Sequence, residues 1–364
     1  MKKVIIFIPS IEDGGVEKNL FSISNYLKKK KLKVEILSCD YHMKKKFLKG
    51  INFIGTKNKF WFNKSRKIKY FICLLILFFK FFLIKKKPLI FAFQANIFAI
   101  LIAKVLNLKI ITRSNSAPIG WLKSKIKTIL YKFLIHLADD VMVNSLEFKR
   151  SFKKRLNVNA TCIYNPFDKS LIKKRINDKI KDNFFKKDYL NIVSVGRLTD
   201  QKDHITLLKS INLLKKNFKI RLVIIGKGKK DELLNEFIFQ NKLQNKIKLT
   251  GYLENPYPYI YKSNMVILTS KFEGLPNILL EAQYLKKYII STDCPTGPKE
   301  ILLNGSAGDL IKIGDYNRLS LLIKNFHKRK KIISKKINFG FKNFDRFDFK
   351  TNCNKYLDFI IKNQ

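Results

Sequence analysis

Short apolar, β-branched runs alternate along this chain with longer stretches of helical spacing. VIIFI (4–8) is closed by Pro9, the pattern of a strand buried on both faces of a parallel sheet. PSIEDGG follows, then a predicted helix from Val16 to Lys30 and a strand at KVEILS (33–38). Further strands are expected at INFIG (51–55), PLIFAF (88–93), KIITR (109–113) and DVMVN (140–144), with helical segments between them. Such alternation predicts an α/β fold with a doubly wound parallel sheet.

YNPFD (164–168) interrupts the pattern, because Asn165-Pro166 disfavours helix and marks a loop. The alternation then restarts with NIVSV (191–195), RLVIIG (221–226), KIKLTG (246–251), MVILTS (265–270), YIIST (288–292) and AGDLIKI (307–313). The halves are not sequence repeats, yet each opens with a buried strand running into a glycine-containing turn. Two Rossmann-like domains, 1–168 and 169–345, are therefore expected to face each other across a ligand cleft. FDFKTNCNKYLDFIIKN (347–363) reads as an amphipathic helix with no sheet of its own, so residues 346–364 must pack back on the body.

Two apolar stretches raise the question of a membrane. FICLLILFFKFFLI (71–84), flanked by KSRKIK and KKK, is interrupted by Lys80 and falls short of the roughly 20 residues of a spanning helix. An amphipathic helix with a basic rim lying on a bilayer fits it better than a transmembrane hairpin. Residues 89–103 read as a strand and then a helix, both buried. The basic start MKKVIIFIPS has too short an apolar run for a signal peptide, and a first strand is the better reading.

Composition sharpens this picture in two ways. The 364 residues suit two domains, and their five scattered cysteines form neither a disulfide framework nor a zinc motif, as suits a reducing cytoplasm. The formal charge of +47 would attract nucleic acid, anionic lipid or phosphorylated substrates. Lysine is spread along the whole chain together with Ile, Phe and Asn, so biased codon usage accounts for most of that charge, with an anionic membrane surface as a further source of selection.

Candidate chemistry is sought at the C-terminal ends of the strands, where parallel sheets bind ligands. Gly14 and Gly15 follow the first strand and precede a helix whose free N–H groups suit an anion, although a plain tight turn explains them equally. GRLTDQKD (196–203) follows the first strand of the second half. There Gly196 ends the strand, and Arg197 and Lys202 together could neutralise a diphosphate without a metal. GKG (226–228) lacks the full dinucleotide fingerprint, which disfavours a nicotinamide enzyme. In FEGLPNILLEA (272–282), Glu273 precedes a helix that Pro276 can start, and Glu281 lies within it among apolar residues. A buried carboxylate needs a hydrogen-bonding partner, and a ribose diol or sugar hydroxyl would serve.

These motifs in combination resemble the retaining glycosyltransferases of family 4, the group 1 enzymes. The resemblance rests on GRL with QKD, on FEGLPNILLEA as a Glu-x7-Glu motif, on DGGVEK and on YNPFD. It implies the GT-B fold and a nucleotide-sugar substrate without a further cofactor. No D-x-D motif occurs in a suitable loop, Asp139-Asp140 reading as structural, so no metal is expected. Arg197 and Lys202 would then hold the donor diphosphate, Glu273 the donor sugar and Glu281 the ribose. The backbone at Gly274 and Leu275 would face the phosphates or sugar, Gly14 and Gly15 would let the first loop approach the donor, and Tyr252 and Leu253 would lie near the base.

One position departs from the family pattern. Members often carry a histidine soon after the arginine ending the fifth strand, whereas TRSNSAP (112–118) has Ser114 and Asn115 after Arg113. His204 beside QKD lies in no motif and is expected to support the site from behind or to be solvated. DCPTGPKEIL (293–302) resembles a subset that builds bacterial surface glycans, which tilts the donor towards a UDP-sugar. Its Pro295, Gly297 and Pro298 form either a donor-side loop or a structural turn.

The basic, aromatic-rich first half, residues 61–87 above all, suits a glycan or lipid-linked glycan acceptor at the cytoplasmic face of an anionic membrane, and no RNP-type motif points to specific nucleic-acid binding. No nucleophile is evident beside the anomeric carbon, which favours front-side substitution over a covalent intermediate. Two competing readings are a nucleotide-sugar epimerase or phosphorylase of the same fold, and an inactive relative that binds membrane or nucleic acid.

Overall fold

The computed structural model describes residues 3–12, 14–94, 96–115, 124–180 and 182–364. The chain divides into two compact units, residues 1–166 with 347–364, and residues 167–346. Among the described residues each unit is built on one parallel sheet with helices on its faces.

The first sheet contains β1 (Lys3–Phe7), β2 (Lys33–Leu37), β3 (Asn52–Ile54), β4 (Leu89–Ala92), β5 (Ile110–Ser114), β6 (Asp140–Val143) and β7 (Thr161–Cys162). Its strand order is β3-β2-β1-β4-β5-β6-β7. Five helices connect these strands: α1 (Gly15–Lys29), α2 (Arg66–Phe81), α3 (Asn96–Val105), α4 (Lys125–His136) and α5 (Leu146–Leu156). Val4 to Phe7 have no exposure at all, as a central parallel strand requires. Side chains alternate between two cores. Ile5 and Phe7 meet α2, α3, α4 and α5 on one face, while Val4 and Ile6 meet α1 on the other. α5 is capped by Ser145 Oγ, which accepts from Phe148 N at 3.1 Å, and it stops at Asn157 in the left-handed region.

The second sheet contains β8 (Leu190–Val195), β9 (Ile220–Ile225), β10 (Ile247–Leu249), β11 (Met265–Leu268), β12 (Tyr288–Thr292) and β13 (Asp309–Ile311), in the order β10-β9-β8-β11-β12-β13. Its unit carries α6 (Lys169–Arg175), α7 (His204–Leu214), α8 (Asp231–Gln240), α9 (Tyr257–Lys262), α10 (Asn277–Tyr284), α11 (Pro298–Ile301), α12 (Tyr316–Lys324) and α13 (Lys330–Lys342). The last helix, α14 (Phe349–Lys362), belongs to the first unit, where Tyr356, Phe359 and Ile360 join the core beneath α1.

Twelve strands lie where the apolar runs place them. β7 was not anticipated, because two half-buried residues on a sheet edge leave no apolar run to read. A second difference concerns residues 89–103. β4 is buried, but α3 buries only Ile97, Ala99, Ile100 and Ala103 and exposes Phe98 and Leu101. A helix laid on one face of a sheet buries one stripe, and here the outward stripe is apolar as well.

Arg113, at 1 % exposure, ties the first unit together. Its Nε donates to Tyr356 Oη at 2.8 Å and its Nη2 to Asn165 Oδ1 at 2.7 Å, with the Phe93 ring beneath the guanidinium. β5, the YNPFD loop and α14 thus share one buried cation. Removing one acceptor from a buried charge costs about 1.5–3 kcal/mol. Tyr356→Phe is expected to lower stability by that amount in chemical denaturation, and an unchanged midpoint would show the bond to be dispensable.

Candidate active site

Strand order reverses between β8 and β11 in the second sheet, so the loops leaving these neighbours diverge and leave a crevice. Residues 196–203 follow β8, and residues 269–276 follow β11. Their backbones are joined directly. Lys271 N donates to Gln201 O at 2.8 Å, Gln201 Nε2 to Phe272 O at 3.0 Å, and Thr269 Oγ1 to Lys202 O at 3.1 Å.

On this frame Lys202 Nζ donates to Glu273 Oε1 at 2.5 Å, with side chains only 15 % and 8 % exposed. Ser270 Oγ donates to the same carboxylate oxygen at 2.6 Å. Glu273 is held from behind by the DCPTGP loop. Its N–H donates to Pro295 O at 3.3 Å, and its carbonyl accepts from Thr296 Oγ1. The sequence left that loop open between a donor-side and a structural role, and here it buttresses Glu273.

Glycines let these loops approach so closely. A Cβ on Gly297, whose φ is +85°, would lie 1.7 Å from Gly274 O. One on Gly226, at φ +155°, would lie 1.9 Å from Gly196 O, and one on Gly228 would lie 2.2 Å from Leu198 O. The GKG segment is therefore a close-packing device between the β8 and β9 loops. Lys202 folds its methylenes across Gly196, 3.2 Å from where a Cβ would sit.

The remaining predicted residues of this unit lie around the pair. Arg197 is exposed at the end of β8. Gly274 and Leu275 are buried in the β11 loop, and Glu281, 4 % exposed, sits in the second turn of α10 between buried apolar neighbours. Pro276 precedes α10 as its cap residue instead of entering its first turn. Tyr252 and Leu253 follow β10 on the sheet edge, two strands from the crevice, and are joined to it through Gly226 N donating to Gly251 O at 2.9 Å. His204 is not solvated. It opens α7 at 3 % exposure, and burial, with Lys202 adding to it, pushes its imidazole down to about 3, so it is neutral.

In the first unit the strand order reverses between β1 and β4; Gly14 ends the loop after β1 as the cap residue of α1, and Gly15 is the first residue of that helix. The space beside Gly14 is taken by Glu17, whose Oε2 is 2.8 Å from where a Cβ would stand. Glu17 Oε1 accepts from Glu12 N at 3.4 Å, and Glu12 pairs with Arg66 at the start of α2. Glu17 is not among the residues expected in the site, although an acid in the first turn after a GG pair is a usable signal. Ser114 is buried and Asn115 Nδ2 donates to Phe93 O at 2.9 Å. Asp13 of DGGVEK and Ser116 to Pro118 of TRSNSAP lie outside the described residues.

Residues 175–339 match the family model described as Glycosyl transferases group 1. That stretch, most of the second unit, is similar to the group 1 glycosyltransferases. An uncharacterized glycosyltransferase of Methanocaldococcus jannaschii is 33 % identical over 57 % of this chain and 53 % of its own length, so the chain spans about half of that relative. A second relative aligns over 98 % of this chain and 100 % of its own length at 27 % identity. It is the N-acetylgalactosamine-N,N'-diacetylbacillosaminyl-diphospho-undecaprenol 4-alpha-N-acetylgalactosaminyltransferase of Campylobacter jejuni. Among solved structures, Anabaena HepE in complex with UDP and glucose superposes with a TM-score of 0.78 at 15 % identity, covering all of both chains. The two units thus have the GT-B fold.

The Glu17 carboxyl, buried and desolvated, is pushed up from 4.5 to about 7, against the opposing pull of backbone hydrogen bonds and the nearby Arg66. A folded-state value above the unfolded one gives a contribution fully present below about pH 4.5 and lost as pH rises through about 7. The loss amounts to at most about 3 kcal/mol. Glu17→Gln is therefore expected to gain stability over the wild type near pH 8 and little near pH 4.5, read by denaturation at both. An equal difference at the two pH values would contradict this origin.

Proposed function

We propose that this protein is a retaining, family 4 glycosyltransferase that moves a sugar from a UDP-sugar to an acceptor hydroxyl in bacterial surface polysaccharide or lipid-linked oligosaccharide synthesis. The observation that carries the reading is the joining of the 196–203 and 269–276 loops at the strand reversal, with Lys202 on Glu273. The names of the C. jejuni relative, an undecaprenol-linked glycan transferase, and of HepE with UDP support the choice of substrates.

In this reading Arg197 and Lys202 bind the diphosphate. Their positive charge takes up the negative charge that develops as the anomeric C–O bond breaks. Glu273 accepts from hydroxyls of the donor sugar, and Glu281 from the ribose. The backbone at Gly196, Gly274 and Leu275 lines the phosphates and sugar, and Tyr252 and Leu253 lie towards the base. Transfer proceeds by front-side substitution. The acceptor oxygen bonds to the anomeric carbon on the face the diphosphate leaves, and its proton passes to the departing phosphate oxygen. Two cations at the leaving group make a metal unnecessary, and the enzyme needs no further cofactor. We place the reaction at the cytoplasmic face of an anionic membrane, with the protein bound peripherally.

Arg197→Ala and Glu281→Ala are each expected to cut turnover at least about tenfold, roughly 1.4 kcal/mol of transition-state stabilisation, in a coupled nucleotide-release assay on folded protein. Unchanged turnover would remove these residues from the site. A panel of nucleotide sugars tested for thermal protection is expected to single out UDP-sugars, and protection by none of them would overturn the reading.

A further inference from the structure

α2, α3 and α4 lie side by side on one face of the first sheet. Each buries one apolar stripe, such as Cys73, Leu77 and Phe81 of α2, and carries a second stripe turned away from the core. On α2 and its end these are Phe71 (63 % exposed), Phe79 (74 %), Phe82 (61 %) and Leu83 (86 %). On α3 they are Phe98, Leu101 and Val105, and on α4 Ile126 (79 %), Ile129 (68 %) and Phe133 (62 %). Leu75 (40 % exposed) lies between Phe71 and Phe79, so positions 71, 75, 79 and 82, like the stripes of α3 and α4, follow at intervals of three or four along the axis. Ile72, Leu75, Ile76 and Phe79, with Thr56 and Lys80, line an open and mainly apolar depression of about 570 Å³. Monomeric soluble proteins rarely leave so much contiguous apolar surface uncovered.

Charge selects the occupant. No Asp or Glu occurs between Asp40 and Asp139, a segment that includes all three helices. Exposed lysines border the stripes: Lys67 and Lys80 on α2, Lys85 to Lys87 just after it, and Lys125, Lys127 and Lys132 on α4. A second copy docking through the same face would set these rims against each other, whereas an anionic lipid surface supplies the missing counter-charge. Among the described residues no helix is long and apolar enough to cross a membrane, so the geometry is that of a face lying in the interface.

We propose that the outer faces of α2, α3 and α4 form one docking surface for an anionic bilayer, with Phe79, Leu83, Phe98, Ile129 and Phe133 entering the acyl boundary and the lysines reaching the headgroups. This deepens the reading of a transferase acting at a membrane and rests on that reading for its purpose. The surface itself can be tested apart from the chemistry.

The test is flotation of the full chain with phosphatidylglycerol-containing vesicles and with phosphatidylcholine vesicles. The wild type is expected to float with the former and poorly with the latter, and to keep part of its binding at high salt, because apolar insertion is not screened. The pairs Phe79→Glu with Leu83→Glu, and Ile129→Glu with Phe133→Glu, are each expected to lower partitioning at least about tenfold. UDP thermal protection should stay unchanged, reporting that both variants fold. Failure of the wild type to float with anionic vesicles would overturn the proposal. So would undiminished partitioning of the α4 pair, or a concentration-dependent dimer that the substitutions abolish. Intact flotation with no protection by any nucleotide sugar would strike the proposed reaction and leave the docking surface standing.

Discussion

The contact between Lys202 and Glu273, at 2.5 Å, is the interaction on which the rest of the site depends. It joins the loops of two strands at the point where the sheet reverses, and both side chains are largely withdrawn from water. A buried pair of this kind contributes little net stability compared with apolar packing, since desolvation offsets most of its Coulomb attraction. What it supplies is position. The ammonium and the carboxylate are fixed before any ligand arrives, with Ser270 and the 293–298 loop holding the glutamate in turn.

Such closeness constrains the backbone around it. From Gly251 through Gly226 and Gly196 to Gly274 and Gly297, glycines stand in successive loops along the strand ends, and at Gly226 and Gly297 a side chain would collide with a neighbouring carbonyl. The same loops therefore close on each other along the crevice, with the Lys202 methylenes laid across Gly196. Arg197, exposed beside this ledge, and Glu281, buried behind it, add a cation at the surface and a carboxylate fixed within. The first unit solves a different problem with the same economy of charge, using the buried Arg113 to join β5, the YNPFD loop and α14.

Twelve strands were legible because a short β-branched apolar run between glycine and proline breaks suits a buried strand and little else, whereas the two residues of β7 carry no such pattern. The residues 197, 202, 273 and 281 stood out through their motifs and their places at strand and helix ends. Their mutual arrangement was not legible. That Lys202 reaches Glu273, that Thr296 braces it, and that Gly226 serves the neighbouring loop are long-range contacts, and no local spacing encodes them. The outward apolar stripes of α3 and α4 were hidden for a related reason, since a sequence shows that a helix is apolar all round but not which side meets the sheet. The sequence leaves His204 open between a supporting and a solvated place, and burial beside Lys202 makes it neutral and enclosed.

The central claim is a division of labour within the pair, Lys202 on the diphosphate and Glu273 on the sugar. Calorimetric titration of Lys202→Met and Glu273→Gln with UDP and with the UDP-sugar that protects the wild type tests it directly. The account predicts that Lys202→Met weakens both ligands by about tenfold or more, while Glu273→Gln weakens the UDP-sugar alone and leaves UDP within about threefold. Equal losses for both ligands in both variants would mean that the pair only holds the loops together, and would contradict the assignment.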